Sequence, residues 1–93
     1  MTQERKIALV TGASRGIGAA IAEKLIQDGF FVVGTATSES GAEKLTAQFG
    51  DNGAGRVLDV RDSAAIDALV TDIEQNFGPV LILVNNAGIT KDN

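Results

Sequence analysis

Thr11-Gly12-Ala13-Ser14-Arg15-Gly16-Ile17-Gly18 follows the apolar run Ile7-Ala8-Leu9-Val10 directly and leads into a helical pattern. Three glycines between a strand and a helix have a specific physical use. A phosphate needs backbone N–H donors that converge on one point, and it gains from the positive end of a helix. Glycine permits the sharp turn and lets the ligand approach without a Cβ in the way. An ordinary glycine-rich turn is the competing reading, since such spacings also arise by chance. Context decides between them: a strand precedes the motif, a helix follows it, and Gly18 falls where helix and sheet must pack closely. The spacing is G-x-x-x-G-x-G, without the G-K-[ST] ending of a P-loop, which argues against a nucleotide triphosphatase.

Three more apolar runs follow: Phe30-Phe31-Val32-Val33, then Val57-Leu58 with Val60, then Val80-Leu81-Ile82-Leu83-Val84. Of the four, all but Val57-Leu58 with Val60 are continuous rather than alternating, as in parallel strands covered on both faces. Amphipathic segments separate them. The first carries Ile17, Ala20, Ile21 and Leu25 on one face and ends at Gly29. In the second, Ser40 and Glu43 have capping-box spacing, and Ala42, Leu45 and Phe49 recur at helical intervals. The third aligns Ile66, Leu69, Val70, Ile73 and Phe77 after Asp62-Ser63, and Gly78-Pro79 stops it. Segment 50–55 is expected to be a loop, with Asp51 serving a turn.

The order β-α-β-α-β-α-β predicts an α/β fold, a Rossmann-type doubly wound parallel sheet with strand order 3-2-1-4. The 93 residues read as the N-terminal portion of a single dinucleotide-binding domain. Right-handed crossovers put the first two helices on one sheet face and the third on the other. On this reading the sheet around Leu9, Leu81 and Leu83 lacks full cover, and the fourth strand is an open apolar edge.

The net charge of −4 gives no general attraction for nucleic acid or an anionic membrane, so a phosphate ligand needs a local site. There is no Cys and no His, which removes disulfides, thiolate zinc sites and the commonest general base. Tyr is absent as well. Residues 1–6 lead into only four apolar residues before Thr11, too short a run for a signal peptide, and no stretch is long enough to span a bilayer. The expectation is a cytoplasmic protein with no metal, nucleic-acid or membrane partner.

An NAD-selective site places a carboxylate at the end of the second strand to bind the adenosine ribose. Here that stretch is Gly34-Thr35-Ala36-Thr37-Ser38, and Glu39 comes one position later. Thr37 and Ser38 can donate hydrogen bonds to a 2′-phosphate, and Arg15 can add a cation at the same corner. The alternative makes Thr37 and Ser38 turn residues and Arg15 a solvated charge. The missing carboxylate favours NADP over NAD.

Thr11-Gly12-x-x-x-Gly16-x-Gly18 together with Asn85-Asn86-Ala87-Gly88 resembles the short-chain dehydrogenase/reductase family. The stretches Gly34-Thr35-Ala36-Thr37-Ser38-Glu39 and Gly88-Ile89-Thr90-Lys91-Asp92-Asn93 are similar to the bacterial members that reduce 3-oxoacyl groups on acyl carrier protein. The resemblance implies that Gly12, Ala13, Ser14, Arg15, Gly16, Ile17 and Gly18 line the pyrophosphate and adenosine ribose of NADPH, with Arg15 and Thr37 near its 2′-phosphate. Asp59 and Val60 would form the adenine-binding pair, with a strand-end Asp capping a turn as the alternative. Asn86, Ala87 and Gly88 would run beside the cofactor, and Asn85 would steady the strand ends.

The resemblance also implies an acyl-carrier-protein-bound 3-oxoacyl substrate, a homotetramer, and a catalytic Ser, Tyr-x-x-x-Lys motif and Asn that these residues do not contain. No catalytic residue is therefore expected here, and the isolated chain is expected to be inactive. A non-catalytic nucleotide-binding half-domain is the alternative.

Overall fold

The structure, a computed structural model, describes residues 6–13, 16–59 and 61–85. In chain order the elements are β1 (Ile7–Val10), α1 (Gly16–Gln27), β2 (Phe31–Ala36), α2 (Glu39–Phe49), β3 (Gly53–Val57), α3 (Ser63–Asn76) and β4 (Val80–Val84). A 3-10 turn, Gly50–Asn52, joins α2 to β3. The sheet is parallel with order β3-β2-β1-β4, as the crossover rule predicts. β1 pairs with β2 from Ile7↔Phe31 to Val10↔Gly34, and with β4 through an irregularity between Ile7 and Ala8.

β1 is the buried centre, with all four residues fully inaccessible. Its alternate side chains feed two cores. Ala8 and Val10 join Val32, Ala36, Ala22, Leu45 and Phe49 under α1 and α2. Ile7 and Leu9 join Val33, Leu58, Leu69 and Ile73 under α3. Each fully buried Leu, Ile, Val or Phe contributes roughly 1.5–3 kcal/mol, so this central strand and its covers dominate the driving force. The helices therefore divide between the faces as expected.

Local rules account for the helix ends. Asp62 caps α3, its Oδ1 accepting from the Ala64 and Ala65 amides at 3.1 and 3.2 Å. Beyond α1, Gly29 takes a φ of +97°, and the Gly29 and Phe30 amides return to the Ile26 and Leu25 carbonyls. Phe77, after α3, stacks tilted on Phe31 with centroids 4.8 Å apart, and Arg56 of β3 lies over its ring at 5.7 Å.

Four expectations need correction. β3 begins at Gly53 and ends at Val57, so half of the expected loop 50–55 is strand. Glycine has no side chain to signal burial, yet here small size is what the packing demands. A Cβ on Gly55 would stand 2.0 Å from the Ala42 carbonyl oxygen, and one on Gly53 2.2 Å from that of Val32. The cap of α2 is Ser38, not Ser40: its Oγ accepts from the Gly41 amide at 3.2 Å. Ser40 and Glu43 are exposed on the helix itself.

On α1 the buried residues are Gly18 and Ala22, flanked by half-buried Ile21, Leu25 and Ile26. Ile17 is 73% exposed and Ala20 is exposed too, because the short residues let the helix settle directly on the sheet. Leu9 is fully covered, in one cluster with Leu69 and Ile73 of α3. Leu81 and Leu83 do remain exposed. No described helix is long and apolar enough to cross a membrane.

Candidate cofactor-binding site

In a parallel sheet every strand's carboxyl end faces the same way, so the segments that leave those ends assemble along one rim. Here they are Thr11–Ala13 after β1, Thr37 and Ser38 after β2, Leu58 and Asp59 after β3, and Asn85 after β4. The chain order reverses beside β1, whose neighbours are β2 and β4. This is the position at which open α/β sheets bind ligands.

The glycine loop is anchored on both sides. Towards β4, the Thr11 amide donates to the Val84 carbonyl at 3.0 Å, and the buried Thr11 hydroxyl reaches the same carbonyl at 3.4 Å and Asn85 Oδ1 at 3.3 Å. Towards β2, the Gly12 amide donates to Thr35 Oγ1 at 3.0 Å and the Ala13 amide to the Thr35 carbonyl at 2.9 Å. Ala13 packs under β2, where a Cβ on Gly34 would meet its own Cβ at 2.8 Å. Gly12 and Gly16 have φ of +65° and +66°, the left-handed region that glycine enters without strain.

α1 starts at Gly16, and its first-turn amides have no intrahelical acceptors. Gly16 and Ile17 are exposed, Gly18 is buried, and no acidic residue stands in the first turn. A Cβ on Gly16 would meet nothing within 4 Å among the described residues, so none of them packs over that position. A helix N-terminus without carboxylates suits an anion. These features fit a nucleotide's phosphates. Ser14 and Arg15 lie outside the described residues.

At the end of β2, Thr37 is exposed, and Ser38 uses its Oγ to cap α2 while touching Ser40 Oγ at 3.4 Å. Neither residue carries a charge that would repel a phosphate. Asp59 is held in a turn, its Oδ1 accepting from the Arg61 amide and Nε at 3.0 Å and its Oδ2 from a terminal guanidinium nitrogen at 3.0 Å. The Asp62 amide closes the same turn on the Asp59 carbonyl at 3.0 Å. The hydrogen bonds from the Arg61 side chain and amide hold the Asp59 carboxyl below its ordinary value. Val60, Asn86, Ala87 and Gly88 lie outside the described residues.

Sequence reasoning missed Thr35, although a threonine within an apolar strand was a legible signal. An open groove of about 380 Å³ beside β3 is lined by Glu39, Glu43, Arg56 and Thr46 among others. It contains none of the glycine-loop residues.

Comparison with known proteins agrees with this geometry. Residues 6–93 match the family described as short chain dehydrogenase. The chain is 60% identical over 88 residues to 3-oxoacyl-[acyl-carrier-protein] reductase FabG of Haemophilus influenzae, covering 95% of this chain and 36% of that protein. It is 58% identical over 93 residues to the protein of that name from Salmonella typhimurium, covering all of this chain and 38% of the relative. The counterpart in Pseudomonas aeruginosa is 54% identical over 96 residues, with 39% of its length covered. The chain thus spans under two fifths of the length of these relatives. With a matching glycine loop at the head of a parallel 3-2-1-4 sheet, the chain belongs to the short chain dehydrogenase family.

Proposed function

We propose that residues 1–93 are the N-terminal portion of a single NADP-binding domain, in a reductase that converts 3-oxoacyl-[acyl-carrier-protein] to the 3-hydroxyacyl form. The observation that carries this reading is the acid-free N-terminus of α1 behind a glycine turn at the sheet's switch point. Likeness to relatives bearing that reductase name supports the substrate. The proposed setting is cytoplasmic, in fatty-acid elongation, with a homotetramer as the assembly.

Bound NADPH supplies the hydride for such a reduction. The residues of this chain bind and orient. Gly16, Ile17 and Gly18 offer amides to the pyrophosphate, with Gly12, Ala13 and Ser14 forming the surrounding backbone. Arg15 and Thr37 take the 2′-phosphate, one by charge and one by its hydroxyl. Asp59 accepts from the adenine amino group beside Val60, and Asn86, Ala87 and Gly88 follow the cofactor towards its reactive end. No residue here donates the proton to the developing alkoxide: the chain has no Tyr and no His.

The test is a titration of the complete gene product with NADPH and NADH, followed by a 3-oxoacyl-thioester reduction assay. Tight NADPH binding with turnover is expected. Nucleotide binding by a product that contains no Tyr-x-x-x-Lys segment, without turnover, would instead support a non-catalytic half-domain.

A further inference from the structure

The glycine loop contributes amides of two kinds, and one side chain separates them. Thr35 is almost completely buried near the carboxyl end of β2, 1% exposed between Gly34 and Ala36. Its hydroxyl oxygen accepts the Gly12 amide at 3.0 Å and its carbonyl accepts the Ala13 amide at 2.9 Å. An amide N–H has one proton, and a short bond to a buried partner commits it. The amides downstream, at the start of α1, have no acceptor within the helix, and no described residue packs over Gly16.

We propose that Thr35 is a positioning residue for the cofactor: it fixes the Gly12 and Ala13 amides onto β2, so that the phosphate is held by the amides at the head of α1. This rests on the cofactor reading above and assigns its donors. Valine has nearly the shape of threonine and suits a buried strand. It would leave the Gly12 amide without its acceptor, and the loop would lose its fixed geometry. Serine would keep the oxygen. The arrangement also joins the phosphate loop to β2, the strand that leads into Thr37, so the two ends of the adenosine site move as one.

The experiment uses the complete reductase. Hydrogen exchange of backbone amides is followed in the free enzyme and with saturating NADP, and NADPH affinity is measured by equilibrium titration for wild type, Thr35→Val and Thr35→Ser. In the free wild-type enzyme the Gly12 and Ala13 amides are expected to be protected already and to change little on binding. The Ile17 and Gly18 amides should gain protection only with the nucleotide. Thr35→Val should bind NADPH about tenfold more weakly with kcat at saturation nearly preserved, and Thr35→Ser should recover affinity to within about twofold.

Gly12 and Ala13 amides that exchange freely until NADP is added would overturn the proposal while leaving the cofactor reading intact. So would unchanged NADPH affinity in a folded Thr35→Val. The wild-type exchange measurement decides even if the valine variant does not fold. A wild-type enzyme that binds no NADPH would overturn both readings.

Discussion

Arg61 grips Asp59 with three donors across a single intervening residue: its amide, Nε and a terminal nitrogen, each 3.0 Å from a carboxylate oxygen. The pair is exposed, at 87% for Arg61 and 55% for Asp59. Solvent screening therefore leaves it little weight in stability, and its effect is on the charge and direction of the carboxylate.

The titration of Asp59 should report this directly. Its carboxyl lies below the ordinary value of 3.8 because Arg61 hydrogen-bonds the ionised form. A depressed folded-state value means that the pair's contribution is present above 3.8 and is lost as pH falls through the lower folded value. In Arg61→Ala the Asp59 carbon resonance should titrate at a higher pH than in the wild type, and the thermal midpoint at neutral pH should barely move. Equal Asp59 midpoints in the two proteins would show that the grip does not persist in solution.

Cofactor choice follows from the absence of a carboxylate in Gly34–Ser38. On the proposed reading, Thr37→Asp in the complete gene product should weaken NADPH, because a carboxylate would then face the 2′-phosphate. Arg15→Ala should lose about ten- to a hundredfold in NADPH affinity, the range of a charge-assisted contact, with little change for NADH. Parallel titrations with the two nucleotides check it. Equal losses for both would show that Arg15 does not read the 2′-phosphate.

How far the sequence reaches is clear from particular residues. Continuous runs such as Ile7–Val10 and Val80–Val84 announce strands, and crossover handedness then orders them, but only the first is buried: Leu81 and Leu83 of the second are exposed. Gly53 and Gly55 escaped because an apolar signal needs side chains, and these positions exist to lack them. Ile17 sits at helical spacing with Ile21 yet lies outside the core, because periodicity fixes a stripe and not its width. The glycine loop was legible as a motif. Its anchor, Thr35, lies 23 residues from Gly12 in sequence and meets it only through strand pairing.

Those glycines make separable predictions. Gly55→Ala puts a Cβ 2.0 Å from the Ala42 carbonyl oxygen and 2.9 Å from the Leu45 Cβ, so α2 must lift from β3. A loss of about 1–3 kcal/mol is expected. Gly50 at the end of α2 has a φ of +59° and open space where a Cβ would stand. There Gly50→Ala should cost about 1–3 kcal/mol through backbone strain, since a φ of +59° with a ψ of −127° is a region side chains rarely enter. With a ψ of −127° this lies outside the left-handed helical well that Asn tolerates, so Gly50→Asn should recover little, whereas Gly55→Asn should be worse than Gly55→Ala. Urea midpoints of the complete reductase variants measure all four, and recovery by Asn at position 55 would refute the steric account.

The two ends of the sheet differ in how they are guarded, and a polypeptide of these 93 residues alone should show the difference. At β3 the Gly55 amide donates to Thr46 Oγ1 at 2.9 Å, and the Gly55 carbonyl accepts from the Arg56 side chain at 3.0 Å. With both groups of Gly55 occupied, that edge offers a poor template to another strand. At the other end, β4 pairs with β1 alone among the described residues. Leu81 and Leu83 are 61% and 52% exposed, and Leu83 pairs with Leu9 on the face that α3 only partly covers. Each large side chain left in water forgoes roughly 1.5–3 kcal/mol of burial, against a whole-domain margin of about 5–15 kcal/mol. The 93-residue polypeptide should therefore self-associate through β4 or remain partly unfolded. Sedimentation should show mass rising with concentration, and Leu83→Lys should abolish the association by placing a charge at the edge. A wild-type monomer that melts cooperatively well above room temperature would contradict the argument, as would association that survives Leu83→Lys.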